Sequence, residues 1–167
     1  MTDTQDDPIA LLEAGHQRLR EQFAAYRELS ALGAAAARRQ TLAEQACLAL
    51  TIQSKLEEEL VYPRLRESAP GDLQIDAIED EHACARELMC QVLVMDPAHE
   101  HYDATVGALA DYVERHTRRE AELVFPRLRR CAGAPAGLAQ LLRERRRELE
   151  AVPEALREDA LASTMAA

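Results

Sequence analysis

The stretch QSKLEEELVYPRLR at residues 53–66 recurs nearly intact as HTRREAELVFPRLR at residues 116–129. The two copies share Glu57 with Glu120 and then the run ELV(Y/F)PRLR. Agreement over so many positions is not expected by chance, so the chain contains an internal repeat. Each copy contains a proline, Pro63 or Pro126, within an otherwise helical pattern, where the missing N–H and the ring should kink or end a helix.

A weaker match of the same kind lies upstream of each copy. It pairs His16 and its neighbours with His82 and its neighbours. Apolar residues recur at three- and four-residue steps throughout the chain, and the strict alternation that marks half-buried strands is missing. The sequence therefore predicts an all-α protein made of two helical hairpins of similar design.

The start and stop signals predict four long helices and a shorter extension. An aspartate at position 6 or 7 caps a first helix that begins at Pro8. The predicted helices run from 8 to about 33, from about 34–41 to before 70, from about 75 to 95, and from 102 to about 131. Short connections favour an up-down-up-down four-helix bundle over residues 1–133. Residues 134–167 are expected to form a C-terminal amphipathic helical extension, in which the run of arginines at 143–147 lies on a solvated face.

Charge narrows the class of partner. The chain of 167 residues has 30 acidic against 20 basic residues and a net charge of −10. That sign opposes binding to phosphates or to anionic lipid, so neither nucleic acid nor a membrane is an expected partner. The N-terminus is acidic where a secretory signal is basic and then apolar, and no CxxC pair is present. We expect a cytoplasmic protein with reduced cysteines.

Six polar residues interrupt the apolar stripes of the four predicted helices. A buried, unpaired carboxylate is costly, and two facing carboxylates repel each other. A pair of metal ions held by carboxylates and imidazoles would satisfy these groups; such donors suit iron or manganese and also accept zinc. Taken singly, a histidine on a stripe is more often an ordinary core residue, and a glutamate a misplaced boundary residue. The six are His16, Gln53, Glu57, His82, His116 and Glu120.

The ordered set resembles the hemerythrin-like (HHE cation-binding) domain. That family is a four-helix bundle around a non-haem di-iron site, with ligands in the order H, HxxxE, H, HxxxE. The neighbouring runs EEELVYP at 57–63 and VFP at 124–126 also resemble the family, and the likeness covers about residues 6–131. The resemblance implies two iron ions and a small ligand such as dioxygen, nitric oxide or peroxide. The matching residues are His16, Glu57, His82, His116 and Glu120.

This chain departs from the family at one ligand position. Gln53 stands where the family has the histidine of its first HxxxE. The resemblance assigns His82 and His116 to one ion and His16 and Gln53 to the other, with the two repeat glutamates bridging both. An amide oxygen is a weaker ligand than imidazole, so the second position should bind metal less tightly or keep an open site.

Two other functions remain open from the sequence. In the first of these, the metal site of the bundle has decayed to one metal or none, and the protein serves as a structural or interaction module. Gln53 motivates it, since an amide can hydrogen-bond Glu57 without metal. The second is a hydrolase that uses the paired carboxylates directly, although no nucleophile with a partner base stands out.

Overall fold

The computed structural model describes residues 7–131 and 135–162, and within those ranges the chain is helical with no strand. The predicted all-α class is confirmed. Two π-helical turns, Glu57–Val61 and Glu120–Val124, are embedded in this framework. The α-helices are α1 (Pro8–Ala31), α2 (Ala36–Leu56), α3 (Tyr62–Ser68), α4 (Leu73–Val94), α5 (Tyr102–Arg119), α6 (Phe125–Arg130), α7 (Pro135–Glu150) and α8 (Pro153–Ala162).

The ends of α1 follow the predicted signals. Asp7 is the N-cap and its carboxylate accepts the Ile9 N–H at 2.9 Å, with Pro8 in the first turn. Asp6, the other candidate cap, lies outside the described residues. The helix ends before Gly33, whose φ of 65° is a left-handed conformation that glycine adopts without strain. Local residue choice alone therefore defines this helix.

The four long helices enclose a common axis. Helix α1 packs against α2 and α5, and α4 packs against the same two helices. Two apolar clusters occupy the axis. The first includes Leu12, Leu56, Ile78 and Val124. The second includes Leu19, Leu50, Ala85 and Val113. On α1 and α4 the predicted histidine falls between residues of the two clusters, and His116 and Glu120 fall between Val113 and Val124. A polar layer therefore lies between the two apolar clusters.

The prolines of the repeat are accommodated differently from the expectation. The helix neither stops nor loses its core face at Pro63 or Pro126; it widens into a π-helical turn just before each proline. In these turns the Tyr62 N–H reaches the Glu57 carbonyl, and the Phe125 N–H reaches the Glu120 carbonyl. A bond between residues five apart makes room for a ring that would clash in an α-helix. Each turn begins at a glutamate of the predicted site.

The C-terminal extension consists of two helices. Helix α7 packs against α1, α2 and the first π-helical turn, while α8 packs against α2 and α4. Leu142, Leu149 and Leu156 are buried in the first apolar cluster. The break between α7 and α8 precedes Pro153, as expected where proline restricts the preceding residue. The predicted boundary at 133/134 lies outside the described residues, and the division into two parts stays a prediction.

No helix in the described part of the chain has both the length and the apolar character needed to cross a membrane.

Candidate metal centre

The structure brings all six predicted site residues into one buried layer. Each of their side chains is between 0% and 3% exposed. His16 comes from α1, Gln53 from α2, His82 from α4 and His116 from α5, while each glutamate opens a π-helical turn. Residues four apart on a helix share a face, so Gln53 with Glu57 and His116 with Glu120 enter the axis as pairs.

Four of the six form a compact group, which we call the His/Glu group: His16, Glu57, His116 and Glu120. One ligand atom of each lies within 4.8 Å of the others. His16 Nε2 lies 3.0 Å from Glu57 Oε1 and 3.2 Å from Glu120 Oε2. His116 Nε2 lies 3.2 Å from Glu57 Oε2 and 3.9 Å from Glu120 Oε1. Imidazoles and carboxylates therefore alternate around one point.

His82 lies at the edge of this group. Its Nε2 is 3.5 Å from Glu57 Oε2 and 3.5 Å from His116 Nε2. Its Nδ1 is 2.6 Å from Glu58 Oε1, which also accepts a 2.7 Å hydrogen bond from Arg86. A carboxylate on the far nitrogen fixes the ring and its tautomer, an arrangement typical of metal-binding histidines. Glu58 therefore has a supporting position beside His82.

Gln53 lies beside the group with its amide in a defined orientation. Its Nε2 donates a 2.6 Å hydrogen bond to Glu57 Oε1. Its Oε1 accepts a 3.0 Å hydrogen bond from Arg146 Nη2. The oxygen is the only atom through which an amide coordinates a metal, and here it contacts a guanidinium. Coordination by Gln53 stays a prediction.

In the metal-free protein, the histidines and glutamates of the His/Glu group shift one another's pKa values. Burial alone would raise the pKa of Glu57, but His116 and His16 hold it well below its ordinary value. Burial alone would lower the pKa of His16, yet the two glutamates raise it to about 9. The pKa of His116 is raised against burial by the same two carboxylates. A proton on His16 thus places positive charge between the two carboxylates when no metal is bound.

One buried oxygen of the group indicates that a metal ion fits better than protons. Among the described residues, Glu120 Oε2 has no hydrogen-bond partner, although it is 3.2 Å from His16 Nε2. The contact lacks hydrogen-bond geometry, because His16 Nε2 is directed to Glu57 Oε1. A cation within the His/Glu group would provide the missing partner for this oxygen. The residues present therefore fit a metal ion bound by two imidazoles and two carboxylates.

Tyr62 is a further side chain of the polar layer that the sequence analysis did not single out. Its hydroxyl donates a 2.6 Å hydrogen bond to Glu120 Oε1 and lies 3.3 Å from His82 Nε2. At the equivalent repeat position Phe125 stacks on His16, with ring centroids 5.8 Å apart. The sequence feature that could have identified Tyr62 is the difference between Tyr62 and Phe125 at equivalent repeat positions, because a buried hydroxyl needs a hydrogen-bond partner.

The expectation of a solvated arginine run in α7 is wrong at one position. Arg146 is partly buried and reaches the amide of Gln53, and burial lowers its pKa, with a smaller contribution from Arg18. Its neighbour Arg145 instead pairs with Glu59 near the surface, at 2.7 Å and 3.1 Å. Helical periodicity alone could not identify Arg146 as an inward-pointing arginine, because the face of α7 that becomes buried depends on how α7 packs against the other helices.

A buried layer of imidazoles and carboxylates on packed helices is typical of metal-binding helical proteins. The chain matches the hemerythrin HHE cation-binding domain over residues 7–105 and belongs to this family. The resemblance found in the sequence is thereby confirmed. The matched range ends before His116 and Glu120, which the fold nevertheless places in the same layer as His16 and Glu57.

A curated relative shares part of this region. The chain is 32% identical over 80 residues to a protein named DNA nickase from Nostoc sp. (strain PCC 7120). The match covers 48% of this chain and 22% of that protein, so the chain spans about a fifth of its length. No solved structure shows a significant match to this chain.

Proposed function

We propose that this chain is a cytoplasmic, hemerythrin-like non-haem iron protein that binds or reacts with a small ligand: dioxygen, nitric oxide or peroxide. The single observation that carries the proposal is the His/Glu group, four buried donor residues whose ligand atoms lie within 4.8 Å of one another. Two carboxylates facing each other in an apolar core are costly unless a cation lies between them. The family to which the chain belongs is a cation-binding family.

The proposed framework is an up-down-up-down four-helix bundle. In chain order, α1 and α4 pass from the first apolar cluster to the second, as Leu12 precedes Leu19 and Ile78 precedes Ala85. Helix α2 contacts the clusters in the opposite order, and so does α5 together with the π-helical turn that follows it. Helices that alternate in direction bring their polar residues to the same level along the bundle axis. This supports both the up-down topology and a site shared by the helices.

The proposed cofactor is two iron ions, one bound tightly and one weakly; the same donors also accept manganese or zinc. When bound, iron supplies a redox-active ion with affinity for small ligands. His16, Glu57, His116 and Glu120 would hold metal, with His82 adjacent to them. The layer is closed by side chains that are at most 3% exposed. Such closure excludes bulk water and large substrates, which favours a diatomic or peroxide ligand.

The second candidate is a bundle with one metal or none that acts as a structural or interaction module. The hydrogen bonds of Gln53 favour it, because the amide is satisfied on both sides without metal. Glu120 Oε2, which accepts no hydrogen bond from the described residues, opposes it. We do not extend the proposal to nicking of DNA: the net charge of −10 opposes phosphate binding, and the relative is matched over 22% of its length.

Metal content after anaerobic reconstitution distinguishes the two candidates. The full chain would be loaded with ferrous iron, desalted, and analysed by elemental analysis and by near-ultraviolet absorption under oxygen. We expect between one and two iron ions per chain, and loss of the tightly bound ion in His116→Ala. Arg129→Ala, at a repeat position remote from the layer, is the matched control. Iron far below one per chain in the unaltered protein would leave the structural module as the better description.

A further inference from the structure

We propose that Arg146, supplied by the C-terminal helix α7, is a positioning residue of the buried centre. Its guanidinium holds the oxygen of Gln53, so that Gln53 donates to Glu57 and does not coordinate metal. The inference deepens the proposed function and rests on it for the predicted effect on metal affinity. The orientation of Gln53 itself can be tested without metal.

A continuous hydrogen-bonded chain links α7 to the centre. Arg146 Nη2 is 3.0 Å from Gln53 Oε1, and Gln53 Nε2 is 2.6 Å from Glu57 Oε1. Glu57 in turn contacts both imidazoles of the His/Glu group. A change at Arg146 therefore reaches a candidate ligand through a single intervening side chain.

The Arg146 guanidinium and the Glu57 carboxylate together allow only one orientation of the Gln53 amide between them. A guanidinium has donors only, and an ionised carboxylate has acceptors only. If the Gln53 amide were reversed, its NH₂ would face Arg146 and its oxygen would face Glu57. Both hydrogen bonds would then be replaced by contacts of like polarity. In the observed orientation the amide nitrogen faces Glu57 and the oxygen is bonded to Arg146, so the donor atom that a metal would need is directed away from Glu57.

Gly15 provides the space for this arrangement. A Cβ atom at position 15 would lie 2.1 Å from Gln53 Oε1, 2.9 Å from its Cδ and 3.0 Å from Arg146 Nη2. Glycine within a helix is destabilising relative to alanine, and Gly15 lies in the middle of α1. The volume that a side chain would fill is the one occupied by the Gln53 amide and the tip of Arg146.

The docking of α7 fixes the position of Arg146. Arg145 pairs with Glu59 in the π-helical turn that begins at Glu57, and Leu142 and Leu149 are buried on the same helix. Anchors on both sides of Arg146 limit the movement of its backbone. Helix α7 lies outside the range of residues 7–105 that the family model matches.

The first experiment observes Gln53 in the metal-free protein. We expect its side-chain amide protons to be slow to exchange and shifted in ¹⁵N–¹H correlation spectra, since both ends are bonded and buried. In Arg146→Met the shift should move toward that of a free amide and exchange should accelerate. Arg147→Met, at an exposed position of the same helix, should leave the Gln53 signal in place. An unchanged Gln53 signal in Arg146→Met overturns the proposal.

The second experiment measures Co²⁺ binding, with Co²⁺ alone as the probe. We expect Arg146→Met and Gln53→Met each to weaken Co²⁺ affinity by roughly tenfold, as is typical for groups that support a ligand. The double variant should match either single variant, and the visible Co²⁺ spectrum should keep its form, because no ligand is lost. Arg146→Lys, which retains a donor, should recover part of the affinity.

The contrary results are distinct. If Gln53→Met weakens Co²⁺ binding far more than Arg146→Met and alters the visible spectrum, Gln53 is a ligand and the proposal fails. If the unaltered protein binds no Co²⁺ and no iron, the proposed function fails, whereas the Gln53 signal still decides the contact with Arg146.

Discussion

The hydroxyl of Tyr62 donates a 2.6 Å hydrogen bond to Glu120 Oε1, joining the residue after one π-helical turn to the first residue of the other. The pKa of Tyr62 is raised by burial and by the charges of Glu120 and Glu57, so the phenol remains protonated and donates. The two halves of the repeat are thus coupled at the candidate metal centre by a residue that only one half contains.

Replacing Tyr62 with phenylalanine removes this hydrogen bond and leaves the Glu120 carboxylate with fewer partners in the apolar core. We expect the free energy of unfolding of the metal-free protein to fall by about 2 kcal/mol, as for a hydrogen bond to a charged group. Urea denaturation in the presence of a chelator measures it. Tyr102→Phe is the control, because the buried Tyr102 hydroxyl has no hydrogen-bond partner among the described residues. A loss in the control as large as that in Tyr62→Phe would contradict the assignment.

The stability of the metal-free protein should decrease as pH rises above neutrality. The pKa of His16 is about 9 in the folded protein against 6.5 for an ordinary histidine, so the folded state retains a proton that the unfolded state releases. This contribution is fully present below pH 6.5 and is lost as pH rises through 9. Denaturation across pH 6 to 9.5 should show the decline, and His16→Gln should flatten it. A stability that rises over this window would contradict the assigned proton.

Metal binding should release protons, because a metal ion and the protons on His16 and His116 compete for the same nitrogens. Affinity is therefore expected to rise with pH between about 6 and 9. Calorimetric titration with Zn²⁺ in two buffers of different ionisation enthalpy counts the protons released. His99→Gln, a substitution at an exposed histidine, is the matched control and should leave the count unchanged. Binding without proton release would show that the imidazoles are not the groups displaced.

Gly15→Ala should destabilise the protein even though alanine favours helix. Its Cβ would lie 2.1 Å from Gln53 Oε1, so the amide or Arg146 must move and their hydrogen bond is lost. We expect a loss of about 1–3 kcal/mol, typical of overpacking. Gly107→Ala in α5 is the matched control, since nothing lies within 4 Å of the added atom. The control should gain up to about 1 kcal/mol from helix propensity, and thermal unfolding of both variants separates the effects.

Gln53→His restores the residue that the family has at this position. A second imidazole on this side of the layer should tighten the weaker of the two proposed iron positions. Reconstitution followed by elemental analysis would then give a stoichiometry closer to two iron ions per chain than in the unaltered protein. No change in metal content would count against a second position beside Gln53.

The sequence by itself determined the helices and the identity of the polar layer. The Asp7–Pro8 start, the stop before Gly33 and the apolar stripes are local, and their periods fix which face of each helix is buried. Because the repeat places His and Glu at matching points of these stripes, the membership of the layer followed as well. These features depend on residues within a few turns of one another, which is why they were readable without coordinates.

Only the tertiary structure decided what each polar side chain contacts. Arg146 and Gln53 are separated by 93 residues, and Tyr62 and Glu120 by 58, so neither contact has a local signal. The π-helical turns also depend on context, since a proline in a helical pattern predicts a break as readily as a wider turn. Docking of α7 directs one arginine of a polar run inward. The geometry of the site therefore follows from how the helices pack, because hydrogen-bond partners are chosen by distance in space.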